Sequence, residues 1–131
     1  MRAMKESGHQ KAIFIWAAWH QAKYPDLRWL HSTQGGAKMT PATAGKMKAE
    51  GMKPGVPDIF LDVPRGGYHG LRIELKAPEM RNEKGTIVKR KGVTMVEQTE
   101  WLAHYTKSGY MAVLCYGWAD AVQVIEEYLG A

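Results

Sequence analysis

Asp58-Ile59-Phe60-Leu61-Asp62-Val63, a turn over Pro64-Arg65-Gly66-Gly67-Tyr68-His69-Gly70, then Leu71-Arg72-Ile73-Glu74-Leu75-Lys76: these residues decide how the chain folds. The first run is nearly all apolar between its acids, as expected of a strand buried on both faces. The second run reads as its partner, and the short link between them predicts an antiparallel hairpin. Side chains at i and i+2 of a strand share a face, so Glu74 and Lys76 project together. Asp58 begins the neighbouring strand. One carboxylate from each strand, with a lysine beside them, thus converges at one end of a sheet.

Outward from this hairpin the pattern alternates. Glu6 to Ala22 has a wide apolar face built on Ile13, Trp16, Ala17 and His20, a helix that ends before Pro25. Leu27 to Ser32 reads as a short strand, with Leu27, Trp29 and His31 on one face, and Gln34-Gly35-Gly36 as a turn. Thr40-Pro41 opens a surface helix that stops at Gly51, and Lys53-Pro54-Gly55-Val56-Pro57 is a stiff lead-in to Asp58. Ala77 to Gly92 is polar and basic, a mobile loop or a loose hairpin. Thr94-Met95-Val96-Glu97 matches a capping box for a helix running to Lys107 and closed by Gly109. Tyr110 to Tyr116 is a third apolar strand, and Ala119 to Leu129 a last helix. The order α-β-α-β-β-α-β-α predicts an α/β fold, a small mixed sheet flanked by helices, in one domain over residues 1–131.

Composition narrows the function classes. At 45% hydrophobic and 24% charged residues the chain is globular rather than disordered. Its one cysteine, Cys115, rules out an intramolecular disulfide framework and a Cys-type zinc cluster, and fits a reducing cytosol. No apolar stretch approaches the ~20 residues that span a bilayer, so a soluble cytoplasmic protein without a membrane partner is expected. The net charge of +5 is unevenly placed. Residues 1–91 hold 17 of the 18 Lys and Arg against 8 of the 13 acids, a surplus of nine cations; residues 92–131 hold Lys107 against five acids. A basic front of this kind suits a polyanion.

Phosphodiester cleavage needs the set at the sheet end. Asp58 and Glu74, with the Leu75 carbonyl as a further oxygen, offer hard ligands to Mg2+ or Mn2+. Such a cation polarises a phosphate and makes water more acidic, and Lys76 can orient that water or stabilise transition-state charge as a compact point charge. The competing reading is structural: strand-edge acids in solvent, with Glu74 paired to Arg72 or Lys76. His9, His20, His31, His69 and His104 show no metal-ligand spacing, and Ser7, Ser32 and Ser108 lack a nucleophile-elbow context. Cys115 reads as inert core. Lys38, Lys46, Lys48 and Lys53 precede the motif, and Arg81, Lys84, Lys89, Arg90 and Lys91 follow it. Five cations within eleven residues repel one another without a counter-charge, so the second cluster points to phosphate contacts. Tyr68 and His69 at the hairpin tip can stack on bases or make dimer contacts.

Gly55-Val56-Pro57-Asp58, Ile73-Glu74-Leu75-Lys76-Ala77-Pro78 and Gln98 within Val96-Glu97-Gln98-Thr99-Glu100-Trp101-Leu102 together resemble the virus-type replication-repair nuclease (VRR-NUC) domain. That family is a branch of the PD-(D/E)xK nuclease superfamily with the restriction-endonuclease-like fold, and the resemblance runs from about Glu6 to Leu129. It implies metal-binding roles for Asp58 and Glu74 and a catalytic role for Lys76. It also places Gln98 close to the active site and Glu6, on the first helix, within approach of the metal. The segment from Pro78 to Thr94 is longer than is common in the family. The resemblance extends to stand-alone phage and bacterial members, which look like junction resolvases and tend to be homodimers. It therefore implies a metal-dependent DNA endonuclease, in the cytoplasm of a bacterium or phage-infected host cell, acting on branched DNA such as a Holliday junction or flap. A non-cleaving DNA-binding module on the same fold and an RNA-processing nuclease are the alternatives.

Overall fold

The computed structural model describes residues 4–33 and 39–130. The expected turn at Gln34-Gly35-Gly36, and Lys38 of the first basic cluster, lie outside the described residues. The chain folds as α1 (Glu6–Trp19), β1 (His31–Ser32), α2 (Pro41–Ala49), β2 (Ile59–Leu61), β3 (Leu71–Lys76), β4 (Met80–Arg81), β5 (Ile87–Lys89), α3 (Val96–Lys107), β6 (Met111–Tyr116) and α4 (Trp118–Gly130). This is the expected mixed α/β architecture, a small mixed sheet flanked by helices.

The main sheet has the order β1-β2-β3-β6. β2 and β3 pair antiparallel, with Ile59 opposite Ile73 and Phe60 opposite Arg72, as the hairpin reading requires. β6 then joins β3 in parallel, Glu74 beside Leu114 and Lys76 beside Tyr116. The chain between them carries α3, because parallel neighbours need a long crossover. Alternation sorts the side chains. Leu71, Ile73 and Leu75 face a core shared with Ile13 and Ala17 of α1 and Ala121, Ile125 and Tyr128 of α4, all of them buried. Arg72, Glu74 and Lys76 face the opposite side, towards α3.

Arg72 is held on that side with no ion pair to Asp58 or Glu74 among the described residues. Its guanidinium lies 3.8 Å from the Phe60 ring centroid, 4.3 Å from Tyr110 and 4.8 Å from Tyr105 of α3, and it pairs with Asp62 at 2.7 Å. This cage binds α3 to the strands beneath it, through cation–π contacts strengthened by burial.

Two local readings are corrected. Leu27 to Ser32 is not one strand: Pro25–Trp29 is a 3-10 turn, and the strand is only His31–Ser32. Pro25 presets the turn, and Leu27 N–H closes it on the Tyr24 carbonyl at 3.0 Å. The box expected on Thr94 and Glu97 also shifts by one residue. α3 starts at Val96, so Gln98 takes the N3 place and its side-chain oxygen accepts from Met95 N–H at 2.8 Å. Other signals held. Thr40 caps α2, whose residues are largely exposed and none buried, and Gly109 follows α3 with φ +92°. The basic segment forms a two-stranded hairpin, β4 with β5. No helix among the described residues is long and apolar enough to cross a membrane.

Candidate active site

Asp58 stands one residue before β2, and its backbone is fixed from the edge strand. Thr33 N–H donates to the Asp58 carbonyl at 2.9 Å, and Thr33 Oγ1 donates to the Pro57 carbonyl at 2.7 Å. The lead-in is pressed against the first turn of α3. Gly55 has φ +87°, and a Cβ there would lie 2.6 Å from the Glu97 carbonyl carbon and 2.8 Å from Gln98 N. Only glycine satisfies both the torsion and the approach. Trp101 Nε1 adds a hydrogen bond to the Pro54 carbonyl at 3.0 Å.

Continued by one pair, the β2–β3 register sets Asp58 opposite Glu74. Asp58 Oδ2 accepts the Leu75 N–H at 2.8 Å, which anchors the carboxylate across the strands. Leu75 thus meets Asp58 through its N–H. Glu74 is 1% exposed, and neither of its oxygens has a hydrogen-bond partner among the described residues. Glu6, from the first turn of α1, completes the group: Glu6, Asp58 and Glu74 each bring a carboxylate oxygen within 4.8 Å of the others.

Such a cluster resists ionisation. Burial, then the neighbouring Asp58, pushes the Glu74 carboxyl up to about 9, with Glu6 adding to the effect and Lys76 opposing it. Partial burial and the charge of Asp58 also raise Glu6 above the ordinary carboxylate range. The alternative in which Glu74 is simply neutralised by Arg72 or Lys76 is not what the side chains do. Arg72 is committed to Asp62, and among the described residues neither Glu74 nor Lys76 forms an ion pair. A divalent cation fits this donor set. Hard oxygens from three elements converge, and the innermost carboxylate has two buried lone-pair-bearing atoms with no donor.

Gln98 is half-buried in the turn of α3 that rests on Gly55 of the lead-in, and it is not one of the three grouped carboxylates. Its side-chain oxygen is occupied by Met95 N–H, which leaves the amide N–H2 to act outward. The basic residues divide. Arg81 is engaged within its own hairpin, with Glu79 at 2.9 Å and the Gly85 carbonyl at 2.7 Å. Lys53, Lys84, Arg90 and Lys91 are exposed, Lys91 lying 5.2 Å over the Tyr116 ring, and Lys89 is half-buried. His69 packs against Tyr110 and beside Gly109, while Tyr68 is partly exposed next to Tyr128. His20 stacks on Trp16, and burial pushes the Cys115 thiol up to about 12.

Three contributors gave no signal in the sequence. Thr33 directly follows the short edge strand His31–Ser32, which the pattern misplaces. Gly92 donates its N–H to the Ala77 carbonyl at 2.9 Å, and a Cβ on it would lie 3.2 Å from Cβ and Cδ of Lys76. Its bare backbone is therefore the wall against which the Lys76 stem rests. His9 is buried one turn beyond Glu6, and its Nδ1 accepts the Trp118 N–H at 3.1 Å, tying α1 to the start of α4. Contacts between segments so distant in sequence have no local signature.

The whole chain is similar to a solved structure described as a "VRR_NUC domain protein". The two are 26% identical, the match covers 99% of this chain and 92% of that one, and the TM-score is 0.73. No family model matches the sequence, and no curated protein does either.

Proposed function

The chain carries a VRR-NUC domain, a nuclease-type fold, and from that premise we propose that it is a metal-dependent endonuclease that hydrolyses phosphodiester bonds in DNA. The observation that carries this reading is Glu74: a buried carboxylate with no donor among the described residues, grouped with Asp58 and Glu6 and flanked by Lys76, which forms no ion pair among those residues. Structure alone gives such an arrangement no reason to persist, since an uncompensated buried carboxylate is costly.

Asp58, Glu74 and Glu6 would hold Mg2+ or Mn2+, with the Leu75 carbonyl as a further oxygen. When bound, the cation supplies Lewis acidity to the phosphodiester. Asp58, anchored by Leu75 N–H, keeps the carboxylates in register with the strand end. Lys76, braced by Gly92, presents its ammonium to a phosphate oxygen or to the attacking water. Gln98 lines the Asp58 side and can donate to the strand being cut. Lys53, Arg81, Lys84, Lys89, Arg90 and Lys91 hold phosphates along the flanks, giving salt-dependent binding with little sequence readout. Branched DNA, a Holliday junction or a flap, is the proposed substrate. A homodimer would match the two-fold symmetry of such a junction.

The test uses supercoiled plasmid, a four-way junction and a matched RNA, each with Mg2+, Mn2+ or EDTA. We expect metal-dependent DNA cleavage that Glu74→Ala and Lys76→Ala each reduce at least ~100-fold, the scale of losing one transition-state contact. DNA that is bound but left intact by wild type and variants alike would mean a binding module. RNA cut in preference would reassign the substrate.

A further inference from the structure

β5 ends at Lys89, and Lys89 reaches back to the mouth of the carboxylate group. Its Nζ donates to the Met4 carbonyl at 3.4 Å, two residues ahead of Glu6. It is close enough for its charge to act on both Glu6 and His9. Yet Lys89 forms no ion pair with a carboxylate among the described residues. A lysine ammonium has three donors, and one long bond to a carbonyl leaves two of them and the full charge uncommitted.

The rest of the return arm shows why Lys89 is held there. Two residues on, Lys91 lies over Tyr116, the strand neighbour of Lys76, and Gly92 abuts the Lys76 stem. The arm therefore runs from the Glu6 side of the acids to the Lys76 side. Arg90, between the two lysines, is exposed and makes none of these contacts.

Resting on the nuclease reading above, we propose that Lys89 is a further catalytic residue. It holds the phosphate backbone of the cleaved strand from the Glu6 side of the carboxylates, opposite Lys76. The bland alternative is a tether between the hairpin and the start of α1. A long, partly exposed bond to a carbonyl contributes little to stability, so the two roles predict different losses.

The experiment compares wild type with Lys89→Ala, Lys89→Arg and Lys107→Ala by single-turnover cleavage in Mg2+ at saturating DNA. Fluorescence anisotropy of the same DNA across a salt series in Ca2+ runs in parallel. Expected is a saturated rate at least tenfold lower in Lys89→Ala and largely recovered in Lys89→Arg. The slope of log K against log salt should fall by about 0.9, one phosphate contact. Lys107→Ala, an exposed lysine at the end of α3 with no part in the phosphate-binding set, should leave the saturated rate unchanged. A Lys89→Ala protein that cuts and binds like wild type overturns this assignment alone. So does one whose loss is accompanied by a lowered melting temperature and is not recovered by arginine. A wild type that binds but does not cut overturns the nuclease reading, and the salt slope then still decides whether Lys89 grips a phosphate.

Discussion

Glu74 carries opposing demands. Its folded carboxyl titrates near 9 against an ordinary value of 4.5, so between those values the folded chain keeps a proton that the unfolded chain releases. Its contribution is therefore complete below pH 4.5 and is lost as pH rises through 9. Metal-free protein should lose stability over that window. Glu74→Gln removes the titration. In EDTA at pH 8 the variant should melt higher than wild type by about 1–3 kcal/mol, or roughly 3–9 °C, while cleaving nothing. Scanning calorimetry at pH 5.5 and pH 8 checks this: a wild-type and variant difference that does not grow with pH would refute it. That Asp58, Glu74 and Lys76 come together at one end of the sheet was legible, because strand parity and one hairpin are local properties of the chain. That Glu74 has no donor among the described residues was not, since it depends on Arg72 being taken up by Asp62 and three aromatic rings.

Among the elements, α3 and the lead-in to β2 depend on each other through Gly55. Alanine there would meet both an unfavourable torsion and the backbone of Glu97 at 2.6 Å. Gly55→Ala should cost about 2–4 kcal/mol, reaching past the ~1–3 kcal/mol of strain at a positive φ alone because the clash is with backbone. Urea unfolding measures it, and a loss below 1 kcal/mol would mean that the lead-in shifts freely. The helices and the three main strands were readable from apolar periodicity and from caps such as Thr40 and Gly109. The basic hairpin was left open between a loop and a loose pairing because β4 and β5 are short and polar, with little burial to print a pattern. Leu27 to Ser32 misled because alternation over a few residues fits both a strand and a tight turn entered through proline. In α3 the signal was right in kind and off by one residue, since the adjacent Glu97 and Gln98 can each close a box on the N–H three residues back, Thr94 for the one and Met95 for the other.

Across the whole molecule, the three carboxylates are contributed by residues 6, 58 and 74, so they meet only in the folded chain. A divalent ion that binds the folded chain and not the unfolded one adds stability that grows with the logarithm of its concentration, ~2.7 kcal/mol at 100 times its Kd. Mg2+ should raise the melting temperature of wild type and leave that of Glu74→Gln nearly unchanged, as calorimetry with and without EDTA would show. Cys115 makes the same coupling visible in another way. The one thiol of the chain lies in β6 with no exposed surface, beside the strand that carries Glu74 and in register with Leu75. Its alkylation is then a clock set by rare openings of the entire core, and a cation at the far side of β3 would slow that clock.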